Sequence, residues 1–183
     1  MQTTKSKFLK NVALNIAING AFQRNSIYSA NVVGTDKTLL RKQLRLELKK
    51  TLITILSAEN YTDEDHYQTI VKFSKNFSKS YKKLLNNNQL NIGTTQKLIN
   101  LYWKMLWLFD DKTSPLIHCP FDSFVIKEVK ELKGLSWTKI TKLTDYKKMV
   151  KSLQKHINGN QSIATWELDI YNVAMHEGSK VTL

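Results

Sequence analysis

Apolar residues along this chain recur at spacings of three and four, and only two prolines and six glycines interrupt them. That punctuation favours long helices over many strands and turns. Residues 6–19 suit a helix with Phe8, Val12 and Ile16 on one side. Residues 25–36 are polar and read as a loop, with a short strand pair expected around 27–34. Residues 38–57 carry Leu39, Leu40, Leu44, Leu48, Leu52, Ile55 and Leu56, an amphipathic helix. At TDEDHY (62–67) Thr62 can cap a new helix whose acids sit where the macrodipole favours them. That helix is predicted to run to about residue 85 with Ile70, Phe73, Phe77, Tyr81 and Leu84 inward. NNNQLN at 86–91 breaks it, and a turn at Gly93 leads into a helix over 94–109. Helices over 121–132, 145–157 and 163–175 complete an all-α domain of 183 residues.

The helix from 94 poses a question of its own. Leu98, Leu101, Met105 and Leu108 form one apolar face, and Ile99, Tyr102 and Leu106 a second. Between them runs a polar seam of Lys97, Asn100 and Lys104, ending on Trp107. A helix apolar on two faces is central, so its seam is expected to border a cleft or solvent. Lys97 lies in the first turn, where the positive helix end disfavours an ammonium and pushes the group toward the neutral amine that can attack carbon. Asp122 follows Pro120 at the start of the next helix and is placed either to cap it or to serve chemistry.

Charge narrows the partner. The formal net charge is +13, a field that attracts polyanions, nucleic acid before membrane. Lys72, Lys75, Lys79 and Lys82 recur at three and four, and no Asp or Glu occurs between residues 66 and 109 to pair with them. Lys142, Lys147, Lys148, Lys151 and Lys155 form a second basic group. Uncompensated stripes of this kind suit phosphate contacts, which give affinity without reading sequence. The longest apolar runs are too short to span a bilayer and no signal peptide is evident, so a cytoplasmic location and no membrane partner are expected. The single cysteine, Cys119, excludes an internal disulfide or an all-cysteine metal site. The four histidines have no ligand spacing, so no metal or other cofactor is expected. No arginine stands near a histidine on one helix, which argues against the HEPN type of ribonuclease.

QLNIGTTQKLIN at 89–100 and HCPFDSFVI at 118–126 together resemble the helix-hairpin-helix DNA glycosylase superfamily. Its first motif reads roughly L-P-G-[VI]-G-x-K-[TV]-A and its second [VI]-P-[VI]-D-[TV]-x-[VI]. The resemblance covers about residues 84–132, and the long loop between the halves is most similar to archaeal-type 8-oxoguanine DNA glycosylases. It implies a two-lobed helical fold with the active cleft between lobes, and puts the catalytic lysine on Lys97 and the catalytic aspartate on Asp122. Gln96 is the other residue that could take the lysine's place, which would imply a monofunctional enzyme; Lys97 is favoured because it shares the seam with Asn100 and Lys104.

The hairpin has one glycine, Gly93, rather than two, and the N–H groups around Gly93, Thr94 and Thr95 are expected to hold a DNA phosphate, with Lys72, Lys75 and Lys79 adding contacts. Asn100, Lys104, Trp107 and His118 are the candidates to form the base pocket, and Trp103, Trp137 and Trp166 further candidates to stack on the base. The expected activity is excision of a modified base, an oxidised purine or a phage-type hypermodified base, from double-stranded DNA by a monomer, with a lyase step through Lys97. Repair and anti-phage defence are the settings this suits. A basic DNA-binding protein without enzymatic activity is the alternative.

Overall fold

The computed structural model describes residues 3–23, 25–159 and 161–178. Among them seven α-helices account for nearly all regular structure: α1 (Thr4–Phe22), α2 (Gly34–Leu56), α3 (Asp63–Tyr81), α4 (Ile92–Phe109), α5 (Ser123–Glu128), α6 (Leu143–Ile157) and α7 (Ile163–Gly178). The all-α class read from the periodicity is the observed one. No helix among the described residues is long and apolar enough to cross a membrane.

Helix starts follow local chemistry. Thr62 caps α3 through the backbone N–H of Asp65 while the Asp65 carboxylate accepts from the N–H of Thr62, a reciprocal capping box. Asn91 caps α4 by accepting from the N–H of Thr94. Asp122 caps α5 by accepting from the N–H groups of Phe124 and Val125.

α4 is the hub: α1, α2, α3 and α6 all pack on it, and α1 most extensively. The buried side of α1 is Ala13, Leu14, Ala17, Ile18 and Ala21, not the expected stripe, and Phe8 and Ile16 are 66% and 37% exposed. Small residues decide this, because they let the two helix axes approach. A methyl group at Gly20 would already fall 2.8 Å from the Leu101 side chain. The inward faces of α2 and α3 follow the pattern in their centres, with Leu40, Leu44, Leu48, Leu52 and Ile55, then Ile70, Phe73 and Phe77, buried in one apolar cluster. Leu39 and Leu56 are exposed, and Tyr81 and Leu84 are partly buried, α3 ending at Tyr81 with a 3₁₀ turn over Lys82–Leu84.

Two elements differ from the periodicity. The strand pair expected at 27–34 is a single antiparallel bridge between Tyr28 and Leu85, with no strand among the described residues. The helix expected over 121–132 is split into α5 and a 3₁₀ turn at Lys130–Leu132, with Val129 extended between them. A further 3₁₀ turn, Trp137–Lys139, lies against the start of α4.

Candidate functional site

Lys97 and Asp122 are 25 residues apart in sequence and meet in space. Lys97 Nζ lies 3.4 Å from Asp122 Oδ2, and the two side chains are 10% and 16% exposed. They open on a cleft of about 340 Å³ bounded by the C-terminal end of α1, the first turns of α4 and α5, Trp137 and one face of α7. The Lys97 ammonium sits 4.5 Å from the centre of the Trp137 ring, a cation–π contact. Phe124 and Tyr171 line the cleft beside them, their rings 4.7 Å apart.

Asp122 is held from three sides. Its Oδ1 accepts the two α5 N–H groups at 2.9 and 3.1 Å, and its Oδ2 accepts the Tyr171 hydroxyl at 2.6 Å while facing Lys97. The carboxylate therefore caps a helix and lines the cleft at once, one oxygen for each task. Burial and the neighbouring carboxylate of Asp122 raise the Tyr171 phenol far above its ordinary value, which keeps it a donor.

The polar seam is covered rather than open along most of its length. Lys104 Nζ lies 2.6 Å from Glu167 Oε2, an approach too bent for a good hydrogen bond but a close ion pair, and both groups are buried. Burial raises the Glu167 carboxyl above its ordinary value, against the pull of Lys104. The same ammonium sits 4.5 Å from the centre of the Tyr171 ring. Thus α7 docks on the seam through Glu167 and Tyr171, one helical turn apart. Sequence reading missed both; their i, i+4 spacing on a mainly apolar helix was the available signal.

Asn100 is wholly buried and fully engaged. Its Nδ2 donates to the Cys119 carbonyl and lies within bonding distance of Tyr146 Oη and Gln96 Oε1, while its Oδ1 faces His66 Nε2 at 2.7 Å. Gln96 pairs with both backbone groups of Phe121. Burial, reinforced by the nearby His118, lowers the His66 value to about 3, so its ring is neutral and Nε2 carries the hydrogen that Asn100 Oδ1 accepts. His118 in turn bridges Tyr146 Oη and the Asp63 carboxylate. Buried backbone around 119–121 must be satisfied without water, and the Gln96 and Asn100 side chains do this.

Several expected site residues consequently take other roles. Asn100, Lys104, Trp107 and His118 do not line the cleft: the first, second and fourth are tied into buried polar contacts, and Trp107 packs half-buried against the core. Trp103 is a core residue that donates to the Ser114 carbonyl, and Trp166 packs on His156. Trp137 is the tryptophan at the cleft. The N–H groups of Gly93, Thr94 and Thr95 are consumed by Ile140 O, Asn91 Oδ1 and Asn91 O, so this turn presents none of them to a phosphate. Gly93 has a packing reason instead: a methyl group there would lie 1.7 Å from the Trp137 carbonyl oxygen. Only glycine lets the Trp137 turn seat against α4, and that turn supplies the aromatic wall over Lys97.

Lys72, Lys75 and Lys79 are exposed on α3 and none lines the cleft. No ion pair involves any of them among the described residues, whereas Lys147 of the second basic group pairs with Glu64 at 2.7 Å. No protein family, curated protein or solved structure matches this chain.

Proposed function

We propose that the protein is a DNA glycosylase with a lyase step, acting on a modified base such as an oxidised purine or a bulky phage-type base. One observation carries the reading: the lysine and the aspartate of two separate motif halves meet at 3.4 Å in a cleft walled by aromatic rings. Its volume, about 340 Å³, lies in the range of small-ligand sites. Phe124 and Tyr171 add aromatic surface at the cleft of the kind that receives a base turned out of the duplex, and the buried Trp137 ring backs Lys97. Lys72, Lys75 and Lys79, exposed and with no ion pair among the described residues, support backbone binding. The two-lobed arrangement of the glycosylase superfamily belongs to the same proposal.

In this reading the Lys97 ammonium first gives a proton to solvent, and the lone pair of the amine then forms a bond to the sugar C1′ as the bond from C1′ to the base breaks. The departing base takes the electron pair and the proton released from nitrogen. The C1′–O4′ bond then breaks, O4′ taking its electron pair and a proton from solvent, to give a protonated Schiff base; loss of the C2′ proton to solvent then expels the 3′ phosphate. Asp122, fixed by two backbone N–H groups and Tyr171, is the anion that stabilises the developing oxocarbenium charge.

The test is a screen of DNAs carrying different modified bases, phage genomic DNA included, with borohydride added during turnover. Covalent trapping of the protein on one of these DNAs, lost in Lys97→Gln, is the expected result. Base release without trapping would make a water activated beside Asp122 the nucleophile. The second reading, a basic DNA-binding protein in which Asp122 serves only as the α5 cap, requires binding with no base release from any of these DNAs.

A further inference from the structure

Residues 119–121 run beside α4 without a backbone–backbone hydrogen bond among the described residues, and they are buried from water. What holds this segment in register is a side chain. Gln96 Nε2 donates to the Phe121 carbonyl at 2.9 Å, and the Phe121 N–H donates to Gln96 Oε1 at 3.1 Å. The pair imitates one rung of a β-ladder, with an amide side chain standing in for the second strand. One turn along, Asn100 braces the same segment by donating to the Cys119 carbonyl at 3.0 Å, and His66 braces Asn100 from α3. The Phe121 ring meets Tyr146 edge-on, which anchors the residue but leaves its peptide planes to the two Gln96 bonds.

The register this sets is specific. Gln96 faces Phe121, and the next residue on each segment, Lys97 and Asp122, forms the ion pair of the cleft. We infer that Gln96 is a positioning residue for the Lys97–Asp122 pair, acting through the Phe121 backbone without lining the cleft itself. Its consequence for catalysis rests on the glycosylase reading; its geometric part does not. Loss of the rung frees the segment to slide or rotate, and displacement of a reacting group by about 1 Å can cost on the order of 10²-fold in rate.

Two variants and two readouts test this. Gln96→Met keeps length and volume but removes both bonds. In it the Phe124 and Val125 amides, which Asp122 Oδ1 holds, should exchange with solvent at least about tenfold faster, while the Met149 and Val150 amides of α6 keep their wild-type rates. On a cleaved DNA, kcat should fall between about 10- and 100-fold with KM within about twofold of wild type. Gln96→Glu adds a pH signature: the protonated carboxyl can both donate to the Phe121 carbonyl and accept from its N–H, whereas the ionised form cannot donate. Its activity relative to wild type should therefore rise as pH is lowered, a limb absent from Gln96→Met. Wild-type exchange and rates in Gln96→Met would overturn the inference, as would a flat activity ratio in Gln96→Glu should Gln96→Met not fold. If wild-type protein releases no base from any DNA, the glycosylase reading fails and amide exchange alone decides the positioning role, unchanged Phe124 and Val125 rates sinking it.

Discussion

Two lysine–carboxylate pairs lie along one face of α4, seven residues apart, each against an aromatic ring. Lys97 meets Asp122 at 3.4 Å under Trp137 and opens on a cleft; Lys104 meets Glu167 at 2.6 Å over Tyr171 and is sealed by α7. Chemically the pairs are alike. They differ in access and in what else holds the anion. Asp122 has three donors besides Lys97, so its position does not depend on the lysine. Glu167 is buried with Lys104 as its close charged neighbour, so each of these two groups depends on the other. The open pair can exchange a partner without undoing the fold, whereas loss of either member of the sealed pair leaves the other buried without its counter-charge.

The largest effect should come from breaking the sealed pair. Lys104→Met leaves Glu167 buried without its cation and should cost about 3–5 kcal/mol in denaturant unfolding. The penalty should depend on pH with a definite sign. Glu167 has a raised value in the fold, so the folded state retains a proton that the unfolded chain releases, and stability falls as pH rises from the ordinary glutamate range toward the folded value. Without Lys104 this window widens upward, so the variant should regain stability on acidification relative to wild type. Activity per folded molecule should stay near wild type. A large loss of activity with intact stability would move Lys104 from the scaffold to the site.

Breaking the open pair should do the reverse. Asp122→Asn is expected to lower base release by a factor on the order of 10² or more, since it removes a preorganised charge, while the amide still offers an oxygen to α5. If the variant instead unfolds and its folded fraction remains fully active, Asp122 is a cap alone.

Tyr171 touches both pairs and so tests how far they are coupled. Tyr171→Phe keeps the ring over Lys104 and removes only the donor to Asp122 Oδ2. A hydrogen bond to a charged group is worth about 1.5–3 kcal/mol; if that falls on the transition state, kcat drops roughly 10- to 100-fold with little change in melting temperature. An unchanged kcat would mean that the α5 N–H groups suffice to hold Asp122.

The smallest effect belongs to the exposed stripe. Lys75→Ala with Lys79→Ala should weaken DNA binding equally for all sequences and flatten the salt dependence by about one per lost phosphate contact. An unaltered slope would make the stripe a solvated face of α3.

Period and capping chemistry, both local properties, made most of the fold legible. The leucine and isoleucine spacing of α2, the Thr62 start of α3 and the Asp122 start of α5 need only neighbouring residues to be understood. Lys97 was legible for a related reason, because a polar residue on a helix otherwise apolar on two faces must answer to something, whereas Asp122 was singled out as more than a cap only by the resemblance of the two motif halves. What it answers to is a tertiary matter. Nothing in the spacing of Asn100 or Lys104 says that one satisfies a buried loop and the other a carboxylate 63 residues later. Gly93 has the same lesson: glycine before a helix suits an anion-binding turn, and only the packed structure brings the Trp137 carbonyl to where a side chain would stand. The face of α1 was likewise decided by how closely α4 could approach, which rewards small residues over the large apolar ones that dominate a hydrophobicity pattern. The sequence alone thus determined the helices and the two reactive-looking groups. The tertiary structure decided which polar residues are buried partners and which face a cleft, because access and pairing are properties of surfaces that meet only once the chain has folded.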